Sequence, residues 1–186
     1  LKEPVTESTK KAARCFYALE QKRADQKRYP AVNPIDSYSK YLEYPEIQEY
    51  LEKTIATGWT EKVNTLKNLI RKGREAQEQI NILGDDGVPM NYHELFWKSE
   101  LIDFVVLQQD AFDAIDALCP LERQKYMVEL VLGICERHFE FEDFEKCRDF
   151  FKEIINILRQ MNYSEFHSEQ FKEFENKLNT LLSNGK

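Results

Sequence analysis

The sequence lacks the features of a membrane-spanning or exported chain. No stretch approaches the roughly 18 consecutive apolar residues that a helix needs to cross a bilayer. The start also lacks the basic-then-apolar order of a secretory signal. We therefore expect a soluble chain. Because it opens with Leu1 instead of methionine, we also expect it to be a piece of a longer protein.

Glycine and proline are scarce, with six of each in 186 residues. Hydrophobic residues make up 42% and charged residues 32% of the chain, so low-complexity disorder and a collagen-like fibre are both excluded. This length is sufficient for one well-buried domain. The net charge of −7 argues against a general nucleic-acid binder, which needs clustered Lys and Arg to neutralise phosphates. A nucleotide pocket is not excluded by this charge, because it needs only local positive charge.

Catalytic motifs are also missing. No glycine-rich loop ends in Gly-Lys-Ser or Gly-Lys-Thr, so nothing in the sequence can cradle the phosphates of a nucleotide. The three histidines, His93, His138 and His167, sit in ordinary helical patterns and suggest no Ser/His/Asp or Cys/His arrangement. We expect no catalytic residue in this chain.

Metal-ligand and redox motifs are missing as well. The four cysteines form no C-x-x-C pair, and we expect them to be buried thiols in helices, in a reducing compartment. Cys135 and His138 share a helix face, but two ligands without a third do not make a metal site. Asp110, Asp113 and Asp116 recur every three residues, which predicts a solvated helix edge or partners of a helix dipole rather than a metal cluster.

Helical periodicity dominates what is present. Apolar residues recurring at threes and fours predict an all-α fold. The predicted helices cover residues 9–27, 46–57, 60–83, 91–106, 120–139, 144–158 and 164–182. Asn91 with Glu94 reads as a capping box, and Gly73, on the apolar stripe of the 60–83 helix, predicts close approach of another helix. The segment 104–107 could be a buried strand on composition alone, but the flanking periodicity favours a helix.

Two breaks in the periodicity stand out. Residues 29–41 contain Pro30 and Pro34, which hold Tyr29 and Asn33 in extended geometry, so this stretch predicts a stiff connector that presents the Tyr29 ring at a fixed angle. By itself that pattern is more typical of a structural turn than of a ligand contact. The second break predicts a helix-hairpin tip. Its residues are Gly84, Asp85, Asp86, Gly87, Val88 and Pro89.

The connector resembles a segment of rotary ATPase catalytic subunits that follows their nucleotide-binding domain. Its first part, Tyr-Pro-Ala-Val-Asn-Pro-Ile-Asp-Ser, is similar to the F-type beta subunit, and its ending, Ser-Tyr-Ser-Lys-Tyr, is similar to the V-type and A-type catalytic A subunit. Ala31 and Tyr38 do not match the non-catalytic B subunit. The resemblance favours the A subunit.

A second stretch, Leu-Gln-Gln-Asp-Ala-Phe-Asp at residues 107–113, also resembles the A subunit, in the right order and at roughly the right spacing. The resemblance implies that Ala111 and Phe112 lie across the adenine from Tyr29. It also implies that the 84–89 tip points at the central rotor stalk. From about Phe139 onward we find no firm resemblance.

The resemblance implies the following organisation. Residues 1–41 would be the last helix and connector of the α/β nucleotide-binding domain, and 42–186 a C-terminal bundle of about six to seven helices. The full subunit would couple ATP hydrolysis or synthesis to ion translocation, with ATP or ADP and Mg as cofactors. It would alternate with the non-catalytic B subunit in an A3B3 hexamer and contact the central stalk, on the cytoplasmic face of the membrane. The piece alone would be inactive.

Two other interpretations remain open from the sequence. Amphipathic helices of this kind are equally typical of a helical protein-protein scaffold with no nucleotide role. An F-type beta subunit fragment is disfavoured by the Ser-Tyr-Ser-Lys-Tyr ending and by the long helical tail. The sequence does not indicate the transported ion or the direction of operation.

Overall fold

A computed structural model of the protein describes residues 3–184. These residues contain eight α-helices, a two-stranded antiparallel sheet, two 3-10 turns and one π-helical turn. The elements are α1 (Pro4–Ala12), β1 (Cys15–Phe16), α2 (Gln21–Asp25), β2 (Tyr38–Ser39), a 3-10 turn (Lys40–Glu43), α3 (Pro45–Thr54), α4 (Trp59–Leu83), a 3-10 turn (Asp85–Gly87), α5 (Met90–Ile102), the π-helical turn (Asp103–Leu107), α6 (Leu121–Glu136), α7 (Phe144–Asn162) and α8 (Glu169–Asn184).

The predicted all-α class is confirmed. Six of these helices, α3 to α8, follow residue 42, as expected for the bundle. The chain divides into two compact units, residues 1–67 and 68–186, and the division falls within α4.

The predicted helix over residues 9–27 is wrong. In its place the first unit has α1, then an extended stretch, then the five residues of α2. Cys15 and Phe16 pair with Ser39 and Tyr38, and Leu19 bridges to Val32. β-Favouring side chains in this stretch fit a paired, half-buried ribbon, and the partner strand overrides the local helical pattern.

The second unit is built around α7, which packs against α5 and α8. Its apolar side chains recur at threes and fours and form one stripe, in which Phe151, Ile154, Leu158 and Met161 are fully buried. α6 adds Val131 and Ile134 to the same core. The sequence stripe predicted for α7 is therefore the centre of this unit.

α5 differs in detail from the prediction. It begins at Met90, and Pro89 stands at its N-cap without a side-chain hydrogen bond, so the predicted Asn91 capping box is wrong because Asn91 already lies inside the helix. The helix then runs directly into the π-helical turn, where Gln108 N–H donates to the carbonyl of Asp103 at 3.0 Å. The helical prediction for this segment is confirmed over the strand alternative.

Two further helix boundaries, the end of α3 and the start of α8, differ from the sequence prediction for local reasons. α3 ends at Thr54, and Gly58, with φ of 73°, supplies the left-handed turn before α4. α8 begins at Glu169 instead of residue 164, because residues 165–168 form a turn in which Ser168 Oγ accepts the N–H of Phe171 at 3.1 Å.

Only two of the four cysteines are buried, so the expectation of four buried helical thiols is wrong. Cys15 lies in β1, Cys119 lies in the segment before α6, and both are exposed. Cys135 and Cys147 face the core. Burial raises the pKa of each of these two thiols to about 12. His138 lies beyond the end of α6, so it does not share a helix face with Cys135.

This difference predicts a two-class alkylation pattern. At pH 8, iodoacetamide should modify Cys15 and Cys119 in the folded protein, whereas Cys135 and Cys147 should react only after unfolding, because thiolate is the reactive form and both are shielded. Peptide mass spectrometry with and without guanidinium measures this. Rapid native labelling of Cys147 would contradict its position in the core.

Among the helices of the described residues, none combines the length and apolarity required to cross a bilayer.

Candidate functional site

Tyr29 lies in the first unit, at the start of the connector, with 55% of its surface exposed. Its peptide bond to Pro30 is cis. The ring makes no aromatic contact with the other described residues. Tyr29 is therefore presented to its surroundings, as the sequence pattern predicts.

The connector behind Tyr29 is held by hydrogen bonds. Asn33 is buried, and its side-chain oxygen accepts the N–H groups of Ile35 and Asp36 at 2.9 and 3.0 Å. Its own N–H donates to the carbonyl of Ala18 at 2.7 Å, and Ser37 Oγ accepts the Ala18 N–H at 3.0 Å. The connector is thus a braced turn joined to the preceding extended stretch.

Ala111 and Phe112 lie side by side in the second unit, on the loop of residues 108–120, which we call the Phe112 loop. Both are exposed, and Phe112 is 100% exposed. Full exposure of a phenylalanine costs hydrophobic free energy that burial would recover. This ring is therefore a candidate contact for a ligand or partner.

Three aspartates shape the Phe112 loop, and the prediction that they line a helix face is wrong. Asp110 Oδ1 accepts the N–H of Phe112 at 2.9 Å, and Asp113 Oδ1 accepts those of Ile115 and Asp116 at 2.9 and 2.8 Å. Asp116 Oδ2 accepts the N–H of Asp110 at 2.6 Å. Side-chain bonds to nearby N–H groups are the chemistry by which aspartate stabilises turns instead of helices.

Arg123, at the start of α6, holds this loop through a hydrogen bond to its backbone. Its side chain is 2% exposed, Nη1 donates to the carbonyl of Ile115 at 3.1 Å, and Nη2 donates to the carbonyl of Asn162 at the end of α7. Asp116 Oδ1 lies 3.9 Å from Nη2. Burial raises the pKa of Asp116, and the Asp110 N–H and Arg123 oppose that shift.

The predicted tip lies between α4 and α5. Gly84 has φ of 81°, its N–H donates to the Ile80 carbonyl at 2.8 Å, and the residues from Gly84 to Gly87 are all exposed. His93 is buried behind the tip, with Nε2 2.8 Å from the Asp85 carbonyl and its ring stacked on Phe144. The tip is thus a fixed protrusion.

Two features of the tip were not predicted. Ile82, at the end of α4, is 74% exposed, and Leu83 is 57% exposed, which gives the tip an apolar edge beside its two aspartates. A cleft of about 340 Å³ lies behind it, lined in part by His93, Trp97 and Arg148. The helical register of Ile82 already places it off the buried stripe, so this exposure was readable from the sequence.

Tyr29 in the first unit and Phe112 in the second unit are both exposed aromatic side chains. Exposed aromatic rings such as Phe112 and Tyr29 provide stacking faces for a base. Within residues 3–184, no three His, Cys, Asp or Glu side chains are grouped to hold a metal ion.

The model of one protein family matches residues 48–143, and its description is the C-terminal domain of V and A type ATP synthase. Among curated proteins, the V-type ATP synthase alpha chain of Chlamydia abortus is 37% identical over 171 residues, which are 92% of this chain and 28% of the relative. That of Chlamydia pneumoniae is 36% identical over 180 residues, 97% of this chain and 30% of the relative. The chain thus spans less than a third of the length of these relatives.

Among solved structures, a unique ATP synthase subunit NeqB from Nanoarcheaum equitans superposes with a TM-score of 0.54 at 18% identity. The match covers 72% of this chain and 32% of the other. At this identity the superposition shows a similarity of fold alone.

Proposed function

The chain belongs to the family of C-terminal domains of V and A type ATP synthases, and from this premise we propose that it closes the adenine pocket of the full catalytic subunit and carries a contact to the central rotor stalk. The full subunit would hydrolyse or synthesise ATP and couple that reaction to ion translocation. The family match favours this role over the scaffold and the F-type alternatives.

The proposal of base recognition is supported above all by the Phe112 loop. Its ring is fully exposed, while the backbone that carries it is fixed by three aspartates. A loop whose backbone is already held loses little backbone freedom when a base stacks on its ring, so more of the stacking free energy appears as affinity. Tyr29 and the small Ala111 would complete the adenine contacts in the full subunit.

The proposal of a rotor contact is supported by the shape of the tip. Its glycines and aspartates are exposed, Ile82 and Leu83 add an apolar edge, and His93 fixes the Asp85 carbonyl from behind. A rigid protrusion with mixed apolar and acidic character can transmit a push to a partner. Val88 and Pro89 would form its end toward α5.

The remaining proposals concern the assembly. The full subunit would bind ATP or ADP with Mg, would alternate with the non-catalytic B subunit in an A3B3 hexamer, and would bind no nucleic acid. It would lie on the cytoplasmic face of the membrane, attached through the complex. Residues 1–41 would be the end of its nucleotide-binding domain and 42–186 the bundle, and this piece would be inactive alone. The phosphates and magnesium would be held by the rest of the subunit.

The adenine proposal is tested by replacing each ring with alanine in the full-length subunit. Phe112→Ala and Tyr29→Ala should each raise the Kd for ADP about tenfold, since stacking of one ring on a base contributes about 1–3 kcal/mol. Fluorescent-nucleotide titration measures this. Phe112→Tyr should retain the wild-type Kd because it keeps the stacking face.

Tyr50→Ala is the matched control, because Tyr50 is a similarly exposed tyrosine, on α3. It should leave the Kd unchanged. If Phe112→Ala and Tyr29→Ala both bind ADP as tightly as the wild type, the adenine role is wrong.

A further inference from the structure

A continuous run of polar contacts connects the Phe112 loop to the π-helical turn, all within the second unit. It begins where Phe112 N–H donates to the Asp110 carboxylate, and Asp110 N–H donates to the Asp116 carboxylate. Asp116 faces Arg123 at 3.9 Å. The run therefore reaches the buried guanidinium in three steps.

The second half of the run leads to α5. Arg123 donates to the carbonyl of Asn162, and the Asn162 side-chain Nδ2 donates to the carbonyl of Val105 at 2.9 Å. Val105 lies in the π-helical turn, and Asn162 is 8% exposed. The loop and the turn are thus fastened to the same point at the end of α7.

These contacts cross-link the Phe112 loop to the π-helical turn, in addition to the covalent connection between them. The Phe112 loop follows the π-helical turn directly, and without a cross-link such a loop could move while α5 stayed still. With Arg123 and Asn162 in place, Ile115 on the far side of the loop is also held. A displacement of the loop should then also displace the backbone at Val105.

α5 connects the π-helical turn to the tip. Its 13 residues span about 20 Å and begin at Met90, directly after the tip residue Pro89. Its N-terminal part also carries His93, which holds the Asp85 carbonyl. A π-helical turn is rare and, where it occurs within an α-helix, is frequent at functional sites.

We propose that Asn162 and Arg123 are positioning residues that join the Phe112 loop to the π-helical turn, so that nucleotide occupancy is passed through α5 to the rotor-facing tip. This inference rests on the proposed function. It adds the internal connection between the two contacts and assigns it to two buried side chains outside both. Neither residue touches the nucleotide.

The test uses the full subunit in its assembled, membrane-bound complex. Asn162→Leu keeps the side-chain size but removes the donor to Val105. It should leave the Kd for ADP within about twofold of the wild type and lower the ions transported per ATP hydrolysed by about fivefold, because residues between two coupled sites typically change the coupling by about 2- to 30-fold. Ion uptake and phosphate release are measured on the same vesicles.

Ser164→Ala is the matched control. Ser164 is 2% exposed and lies two residues further on, but its hydroxyl donates only to Gln160 within the same turn. It should leave both Kd and transport ratio unchanged. If Asn162→Leu keeps the wild-type ratio, or raises the Kd as much as Phe112→Ala does, the positioning role is wrong.

A measurement on the wild-type complex covers the case in which Asn162→Leu does not fold. Adding ADP should slow hydrogen exchange at the Gln108 amide, which reports the π-helical turn. Unchanged exchange there, with ADP bound, would overturn the connection alone. Wild-type ADP affinity in both Phe112→Ala and Tyr29→Ala would instead overturn the adenine role, so the two failures are distinguishable.

Discussion

Gly73→Ala should destabilise the protein by about 1–3 kcal/mol, the range expected when a well-packed contact is overfilled. A Cβ at Gly73 would lie 2.1 Å from Ser99 Cβ and 2.6 Å from Ser99 Oγ, with the Leu95 carbonyl at 3.0 Å. α4 and α5 therefore touch through the glycine, and the new methyl would force them apart. Urea unfolding followed by circular dichroism measures the loss.

The same substitution at Gly133 is the control. Gly133 lies in α6, and a Cβ there meets nothing within 4 Å. Gly133→Ala should therefore stabilise the protein by about 1 kcal/mol, the difference in helix propensity between the two residues. Opposite signs at two helical glycines would identify the contact with Ser99 as the cause. A neutral Gly73→Ala would contradict the close approach of α4 and α5.

Lys98→Met should cost about 3 kcal/mol, because it leaves a buried carboxylate without its partner. Lys98 Nζ lies 2.6 Å from Glu94 Oε1 and donates to the Arg137 carbonyl at 3.0 Å, at the end of α6. The two side chains are only 11% and 13% exposed. Replacing Lys98 also removes the hydrogen bond to the Arg137 carbonyl.

Lys146→Met tests whether burial is the cause. Lys146 pairs with Glu142 at the same i, i+4 spacing, but the two side chains are 59% and 78% exposed, so no measurable loss is expected. The double variant Glu94→Gln/Lys98→Met should recover part of the Lys98→Met loss. Equal effects of Lys98→Met and Lys146→Met would show that the buried pair contributes no more than a surface pair.

The helices that bury one stripe were predictable from the sequence. In α4 and α7 the apolar residues recur at the helical period over many turns, and most of these residues are buried, among them Ile70 and Phe151. The close approach at Gly73 was predictable because a glycine on a buried stripe has few other uses. Tertiary packing agrees with local pattern in these elements.

The extended stretch after α1 was not predictable from local pattern. Residues 13–20 have a plausible helical face, but they pair with the connector some twenty residues on, and a partner strand is invisible to periodicity. The exposure of Cys15 was missed for the same reason, since the predicted helix included it. In this stretch, pairing with a strand distant in sequence outweighed the local helix propensity.

The candidate site was predictable in part. The composition of the tip predicted its turn, and the family resemblance pointed to Tyr29 and Phe112. The role of Asp110, Asp113 and Asp116 was missed because spacing of three fits both a helix face and a series of side-chain-stabilised turns. Arg123 and Asn162 were missed because their partners are backbone carbonyls, which leave no signal in the sequence.

The full exposure of Phe112 separates the contacts that this side chain can make from the folding of the domain. The ring packs on nothing, while the aspartates that fix its backbone act through main-chain N–H groups that every residue but proline possesses. Almost any side chain can therefore replace it at little cost to the fold. A substitution at this position therefore changes what the loop presents to the outside of the domain while leaving the fold in place.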